Sequence, residues 1–499
     1  MPALVVVSEP EDWSDEVLGA TVVSARDYLI QPRFSESRGW KVHNLCRSYR
    51  YQSAGYYVSL LAAARGHKPM PSITTIQDMK SVSLARAATW DLDEQIQKSL
   101  TPITTGKFTL SIYFGRNFAQ RYQRLSLALF NLFPAPLLRA QFKRESDEWR
   151  LQSISPISAE DVPDEHWPFV FESAAHYFER GVPTSRRTKA ARYDLAILHN
   201  PEQRDSPSGP KTLQKFVRAA EALGMRAELI TRDDYGRLAE FDALFIRETT
   251  YPNNYTYRFA RRAAAEGLVV MDDPDSIVKC TNKVYLAELM NRHKAPTPKT
   301  LIVHRDNVAD IAPTLGMPCV LKQPDSSFSQ GVVKVNDEDE LRVQIKALLE
   351  SSEMLIAQEF VPTKFDWRIG VIDRKPLYAC RYFMAEKHWQ IINQQRPERG
   401  RYGRVETIPV EDAPPRVVKL AVRAANLIGD GFYGVDIKER AGRCYVIEVN
   451  DNPNVDSGYE DAVLKKDLYA TVMGVFLRRI EERKNGRGAG ERAGHATTV

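Results

Sequence analysis

Toward the end of this 499-residue chain, two acids and an amide recur at spacings that suit a hard divalent cation. Tyr445-Val-Ile-Glu-Val-Asn-Asp-Asn-Pro-Asn454 opens as an alternating β-branched and aromatic run, which predicts a buried strand stopped at Pro453. Glu448 and Asn450, two apart, share one face of such a strand. Gly431-Phe-Tyr-Gly-Val-Asp-Ile-Lys438 predicts a second short strand bearing Asp436, and the polar stretch Glu439–Cys444 predicts the turn of a β-hairpin. Paired, the two strands gather Asp436, Glu448 and Asn450. Two carboxylates and an amide oxygen match Mg²⁺, which keeps several waters and holds substrate phosphates. The alternative is a hairpin with ordinary surface acids. Against it, an unpaired charge inside an apolar strand is costly.

Phosphate-seeking groups lie upstream. Met317-Pro-Cys-Val-Leu-Lys322 predicts a strand ending in a lysine, followed by the loop Gln323-Pro-Asp-Ser-Ser-Phe-Ser-Gln-Gly331 and the strand Val332–Val335. Such a loop can fold over a triphosphate, with hydroxyls and backbone N–H groups, Ser329 and Gly331 among them, as donors. Lys322 adds a point charge. A Ser/Gly-rich hairpin loop has the same composition without a ligand, and the Gly-Lys-Ser/Thr of a Walker loop is missing. Arg368 and Arg381 sit in the apolar segments Asp366–Ile372 and Leu377–Phe383, where a guanidinium needs a carboxylate or phosphate. Arg368 has Asp366 as a candidate partner. Arg381 has no local one, which points it toward a ligand. Arg396 to Arg404 holds four Arg and two Gly, an anion-seeking loop or a solvated one.

These groups need a scaffold, and the chain is long enough for two to three domains. Hydrophobic content of 43% and charged content of 27% describe an ordinary globular protein, and 69 Lys+Arg against 64 Asp+Glu require no nucleic-acid partner. Five scattered cysteines without metal-ligand spacing indicate neither a disulfide framework nor a zinc site. The opening Met1-Pro-Ala-Leu-Val-Val-Val-Ser is strand-like rather than a signal peptide, and no apolar run is long enough for a membrane span. A cytoplasmic protein is expected.

Residues 1–185 mix strands (Leu4–Val7, Phe108–Phe114), a helix Tyr56–Arg65 ended by Gly66, and a hairpin Leu137–Ile154 turning at Glu145–Glu148. Arg47, Tyr49, Arg50 and Tyr51 interleave base and aromatic as single-strand nucleic-acid grooves do; the plainer reading is a solvated face. Gly181–Lys189 predicts a linker. Residues 190–280 alternate strands (Tyr193–His199, Arg226–Thr231, Phe241–Ile246, Gly267–Met271) with helices (Lys211–Leu223, Arg258–Glu266), a small parallel sheet without a dinucleotide fingerprint. Residues 281–482 carry the chemistry, and the Gly-rich basic end, residues 483–499, predicts disorder.

The order of these parts resembles the ATP-grasp ligases, most closely the RimK-type glutamate ligases, over roughly residues 192–480. The likeness is specific in Gln358-Glu-Phe-Val361, Asp366-Trp-Arg368, Gly434-Val-Asp436 and Glu448-Val-Asn450 with Pro453. It implies two α+β lobes clasping ATP, preceded by a small parallel α/β domain and by the extra N-terminal domain of long RimK-like proteins. Lys283 and Lys322 would contact phosphates, Gln358 would help bind the nucleotide, and Glu359, Phe360 and Val361 would lie along the adenine edge. Asp366 would lie near the ribose and Asn393 near the nucleotide. Asp436, Glu448 and Asn450 would hold two Mg²⁺, with Mn²⁺ as an alternative. Lys322 and Arg381 would offset charge developing on the transferred group, with Arg401 a further catalytic candidate. Where relatives show His-Arg-Gly-Gly, this chain has Glu398-Arg-Gly-Arg401, which leaves the amino-acid substrate open. The implied activity joins an amino acid such as glutamate, through an acylphosphate, to a peptide, protein or small amino-acid acceptor. Homo-oligomers are common among such proteins. The competing reading is a nucleotide-binding adaptor with an inactive ATP-grasp domain, or one associated with RNA through Arg47–Tyr51 and the basic segment Arg478–Arg492.

Overall fold

A computed structural model of the chain describes residues 3–13, 20–36, 39–179, 191–203, 205–325, 331–386, 388–392 and 401–485. The expected linker at 181–189 and residues 486–499 lie outside them; the segment expected to be disordered from 483 begins later, because the helix Lys466–Lys484 includes Arg483 and Lys484. The chain divides into two compact units, Met1–Ala196 with Gly224–Asp242, and Ile197–Leu223 with Ala243–Val499. The division passes through the strand Tyr193–Leu198, so the segment expected at 190–280 contributes residues to both. Among the described residues no helix is long and apolar enough to cross a membrane.

The first unit holds a parallel four-stranded sheet in the order Ala20–Ser24, Ala3–Val7, Lys41–Asn44, Lys68–Met70. Leu4 to Val7 are fully buried, which explains why that strand is a continuous apolar run rather than an alternating one. The helix Ala54–Ala64 starts where Ser53 Oγ accepts from the Tyr56 amide and is followed by Gly66 at φ 70°. A second, antiparallel sheet orders Lys107–Tyr113, Leu137–Glu145 and Glu148–Pro156. Its hairpin turns on Ser146 and Asp147, both at positive φ, as the twist of paired strands favours. In the Arg47–Tyr51 cluster Arg47, Arg50 and Tyr51 are exposed, as a solvated face requires, and Tyr49 alone turns inward. Arg47 clamps Asp12 at 2.6 and 3.0 Å, and the Tyr49 hydroxyl donates to the Asn44 carbonyl at 2.7 Å.

In the second unit the strands Ala243–Ile246 and Val269–Met271 run parallel. Two antiparallel sheets follow. One orders Thr300–Val303, Leu355–Glu359, Cys319–Lys322 and Val332–Val335, and Leu341, Ile345 and Leu348 of the helix Glu338–Ser351 belong to its core. The other orders Val405–Ile408, Lys375–Phe383, Phe365–Ile372, Phe432–Arg440 and Arg443–Asp451. The helix Pro415–Ile428 packs on it through Val417, Leu420, Ala421, Ala424 and Ile428, an i, i+3, i+4 stripe. The expected metal hairpin is present but tighter than Glu439–Cys444 suggested, turning on Ala441 and Gly442 alone. Its return strand ends at Asp451 rather than at Pro453, because Asn452 takes φ 47° and leaves the ladder first. Arg478 and Arg479 are not free basic groups: both lie in the helix Lys466–Lys484 and bind Asp373.

Candidate active site

Strand register decides which side chains meet. In the hairpin Asp436 stands opposite Glu448 and Gly434 opposite Asn450, so Asp436, Glu448 and Asn450 share a face. Arg368 pairs in register with Asp436 from the neighbouring strand and joins that face. Gly434 is needed for this closeness: a Cβ there would stand 2.8 Å from Pro453 Cβ and 3.2 Å from Arg368 Cδ.

Four cations interleave with three carboxylates. Arg368 grips Asp436 through Nε and Nη2, both at 2.6 Å, and Lys283 Nζ lies 3.2 Å from Glu448. Lys438 donates to Asp366 at 2.6 Å, and the Thr363 hydroxyl donates to the same oxygen at 2.8 Å. Lys322 donates to the Gln358 carbonyl oxygen at 2.8 Å. Burial raises the Asp436 carboxyl above its ordinary range, and Glu448 and Asp366 nearby add to this against the pull of Arg368. Burial acts the same way on Glu448, but Lys283 and Lys322 outweigh it and hold that carboxyl below its ordinary range. Burial brings the Lys322 ammonium down to about 8, opposed by the attraction of Glu448.

These side chains line a cavity of about 1420 Å³ within the second unit, and Glu359, Phe360 and Val361 line it too. Lys334 caps the Phe360 ring at 4.4 Å and Trp389 meets it edge-on. Gln358, expected at the nucleotide, is the partner of Lys322 and also donates to the Thr300 hydroxyl at 2.9 Å. Gly331 sits at φ 64°, its carbonyl accepting from the Gln323 amide at 2.9 Å. Ser329 and Asn393 lie outside the described residues. Arg401 lines the cavity, 3.4 Å from Asp205, whose other oxygen accepts from the Tyr402 hydroxyl at 2.8 Å.

One expected catalytic group is elsewhere. Arg381 is in register with Trp367, on the face opposite Arg368. Its guanidinium lies 5.0 Å from the Trp367 ring and 5.4 Å from that of Phe365, with Glu406 at 3.7 Å. The partner absent from its local sequence comes from the adjoining strand Val405–Ile408. The expected Asp366–Arg368 pair is also replaced, since each residue finds its counterion across strands. Lys438 was missed, although it stands two residues from Asp436 and so on the same face.

Among the described residues no cluster of three or more His, Cys, Asp or Glu forms a metal site. The candidate set is two carboxylates and an amide. It fits a hard cation, because buried acids crowd one face and each now has a protein cation against it.

The family model for the RimK-like ATP-grasp domain matches residues 280–468, and that for the RimK-like ATP-grasp N-terminal domain matches residues 25–173. The alpha-aminoadipate–LysW ligase LysX of Sulfolobus acidocaldarius is 30% identical over 193 residues, 37% of this chain and 66% of that enzyme. The tetrahydromethanopterin:alpha-L-glutamate ligase of Methanocaldococcus jannaschii is 26% identical over 224 residues, 44% of this chain and 73% of that enzyme. The D-alanine–D-alanine ligase of Bacillus anthracis aligns with 58% of this chain and 99% of its own, at 16% identity and a TM-score of 0.45. The chain spans about two thirds of the length of the first of these relatives.

Proposed function

Because this chain belongs to the RimK-like ATP-grasp family, we propose that it is an ATP-dependent ligase joining a carboxylate to an amine. The observation that carries this reading is the wall of Lys283, Lys322, Arg368 and Lys438 set among Asp366, Asp436 and Glu448 in one cavity. A pure cation cluster would only bind anions. Acids and bases alternating at 2.6–3.2 Å can take up both a polyphosphate and its divalent counterion without leaving a buried charge unmatched.

In the reaction, a substrate carboxylate oxygen attacks the γ-phosphorus of ATP, the bond to the β,γ-bridging oxygen breaks, and ADP departs. The amine then attacks the acylphosphate carbonyl carbon. The C–N bond forms, phosphate leaves, and the ammonium proton passes to water. Positioning and charge neutralisation carry such a sequence, without a covalent enzyme intermediate. Lys283 and Lys322 would meet phosphate oxygens. Glu359, Phe360 and Val361 would lie along the adenine, and Asp366, held by Lys438 and Thr363, beside the ribose. Asp436, Glu448 and Asn450 would hold two Mg²⁺, or Mn²⁺, which when bound neutralise phosphate charge. Arg401 would face the amino-acid end. The relatives' names, an α-aminoadipate ligase and a glutamate ligase, support a dicarboxylic amino acid such as glutamate as one substrate.

The test is Mg²⁺-dependent release of ADP and phosphate across amino acids, singly and in pairs, with acidic peptides as further acceptors. Release that requires a specific pair and disappears in Glu448→Ala is the expected result. ATP binding without release for any pair would overturn the ligase reading.

A further inference from the structure

The ammonium of Lys322 is held by a relay that runs back from the cavity wall. Thr300 and Gln358 are direct cross-strand partners, and Gln358 also stands opposite Val320, two residues before Lys322. Thr300, Gln358 and Lys322 therefore share one face of the four-stranded sheet. Lys322 Nζ donates to Gln358 Oε1 at 2.8 Å, Gln358 Nε2 donates to Thr300 Oγ1 at 2.9 Å, and the Thr300 hydroxyl donates to the Pro298 carbonyl at 2.8 Å.

The two ends of this chain fix its direction. An ammonium has only donors and a carbonyl only accepts. The one proton of Thr300 is committed to Pro298, so Thr300 offers Gln358 a lone pair and nothing else. The amide must then turn its NH₂ toward Thr300 and its oxygen toward Lys322. Turned the other way, it would set N–H donors against an ammonium and leave its own oxygen without a proton. Gln358 is 7% exposed, so water cannot readily make good either loss.

We propose that Thr300, backed by the Pro298 carbonyl, is a positioning residue for ATP: it locks the Gln358 amide so that its oxygen holds the Lys322 ammonium toward the phosphates. This rests on the reading of Lys322 as a phosphate contact. Thr300 is not among the residues lining the cavity and acts only through Gln358. No sequence motif points to it, since a threonine in an edge strand is unremarked unless its cross-strand partner is known.

The test measures the dissociation constant of a non-hydrolysable ATP analogue with Mg²⁺, by calorimetry, on the full chain. The variants are Thr300→Val, Thr300→Ser, Gln358→Ala and the double variant Thr300→Val/Gln358→Ala. Thr300→Val keeps the shape and removes the hydroxyl, and should weaken binding roughly 5- to 10-fold, the scale of one buried hydrogen bond. Thr300→Ser restores the hydroxyl and should stay within about twofold of the unmodified protein. The double variant should bind no more weakly than Gln358→Ala alone. In turnover the KM for ATP should rise while that for the amino acid stays constant. Three results would overturn the relay: unchanged binding in Thr300→Val, equal weakening in the Ser and Val variants, or additive losses in the double variant. Binding differences as expected, with no ADP released for any substrate pair, would remove the ligase reading and leave the positioning role standing.

Discussion

Both units of this protein bury a network of cations and carboxylates, one enclosed by its surroundings and the other beside a cavity. In the first unit Lys41 lies 2.5 Å from Glu240, which also accepts from the Tyr177 hydroxyl, while Arg237 reaches Glu228 at 2.7 Å and Asp234 at 3.1 Å. Lys41, Arg237 and Glu240 are at most 7% exposed. Burial would raise the Glu240 carboxyl, but Lys41 and Arg237 outweigh it and hold it far below the ordinary range. In the second unit the pairs Arg368–Asp436, Lys283–Glu448 and Lys438–Asp366 are as close, but they line a cavity of about 1420 Å³. Tight ion pairing and displaced proton affinities are thus common to both. Access to a ligand distinguishes them.

That contrast can be broken by removing one acid from each. Glu448→Ala should lower kcat for ADP release at least about 10³-fold, ~4 kcal/mol in the barrier, while its melting temperature stays within a few degrees of the unmodified protein. Glu240→Ala should do the reverse. Leaving Lys41 buried without its carboxylate, while Arg237 keeps Glu228 and Asp234, should cost about 3–5 kcal/mol of stability in denaturant unfolding, with ATP affinity in the folded protein unchanged. A stable Glu240→Ala protein without turnover would mean that the first network is functional too.

A pH titration sharpens the comparison. Lys322, brought to about 8, is charged below that pH and loses its charge above it. ATP affinity measured calorimetrically should therefore be flat from pH 6 to 7.5 and fall about tenfold, ~1.4 kcal/mol, by pH 9.5. Bound phosphate favours the charged form, so the midpoint in the complex should stand above 8. Lys322→Met should be weak at every pH and lack the slope. The smallest effect is expected for Arg381→Ala, in which kcat/KM should change less than about threefold, because the half-exposed Arg381–Glu406 pair faces away from the cavity.

Much of the site was legible in residue order. The apolar alternation around Asp436, Glu448 and Asn450 marked the hairpin and its face, and the register places Asp436 opposite Glu448. Lys283 and Lys322, read as phosphate contacts, line the same cavity as these acids. The two arginines were not equally readable. Arg368 and Arg381 both interrupt apolar strands, and the nearby Asp366 separated them the wrong way, since Arg368 lines the cavity and Arg381 lies on the opposite face. A period of two says only which residues of one strand share a face. It does not say which face of the neighbour they meet.

What the sequence determined by itself is therefore local: β-branched runs, turns of glycine and polar residues, and acids or lysines two apart that must point the same way. What only the tertiary structure decided is pairing across strands. Register placed Arg381 with Trp367 and Glu406, matched Lys438 to Asp366 and set Thr300 behind Gln358. The physical reason is that a strand's own pleat is encoded in its own residues, whereas its register is set jointly by partners dozens of positions away, and a shift of one residue inverts every assignment.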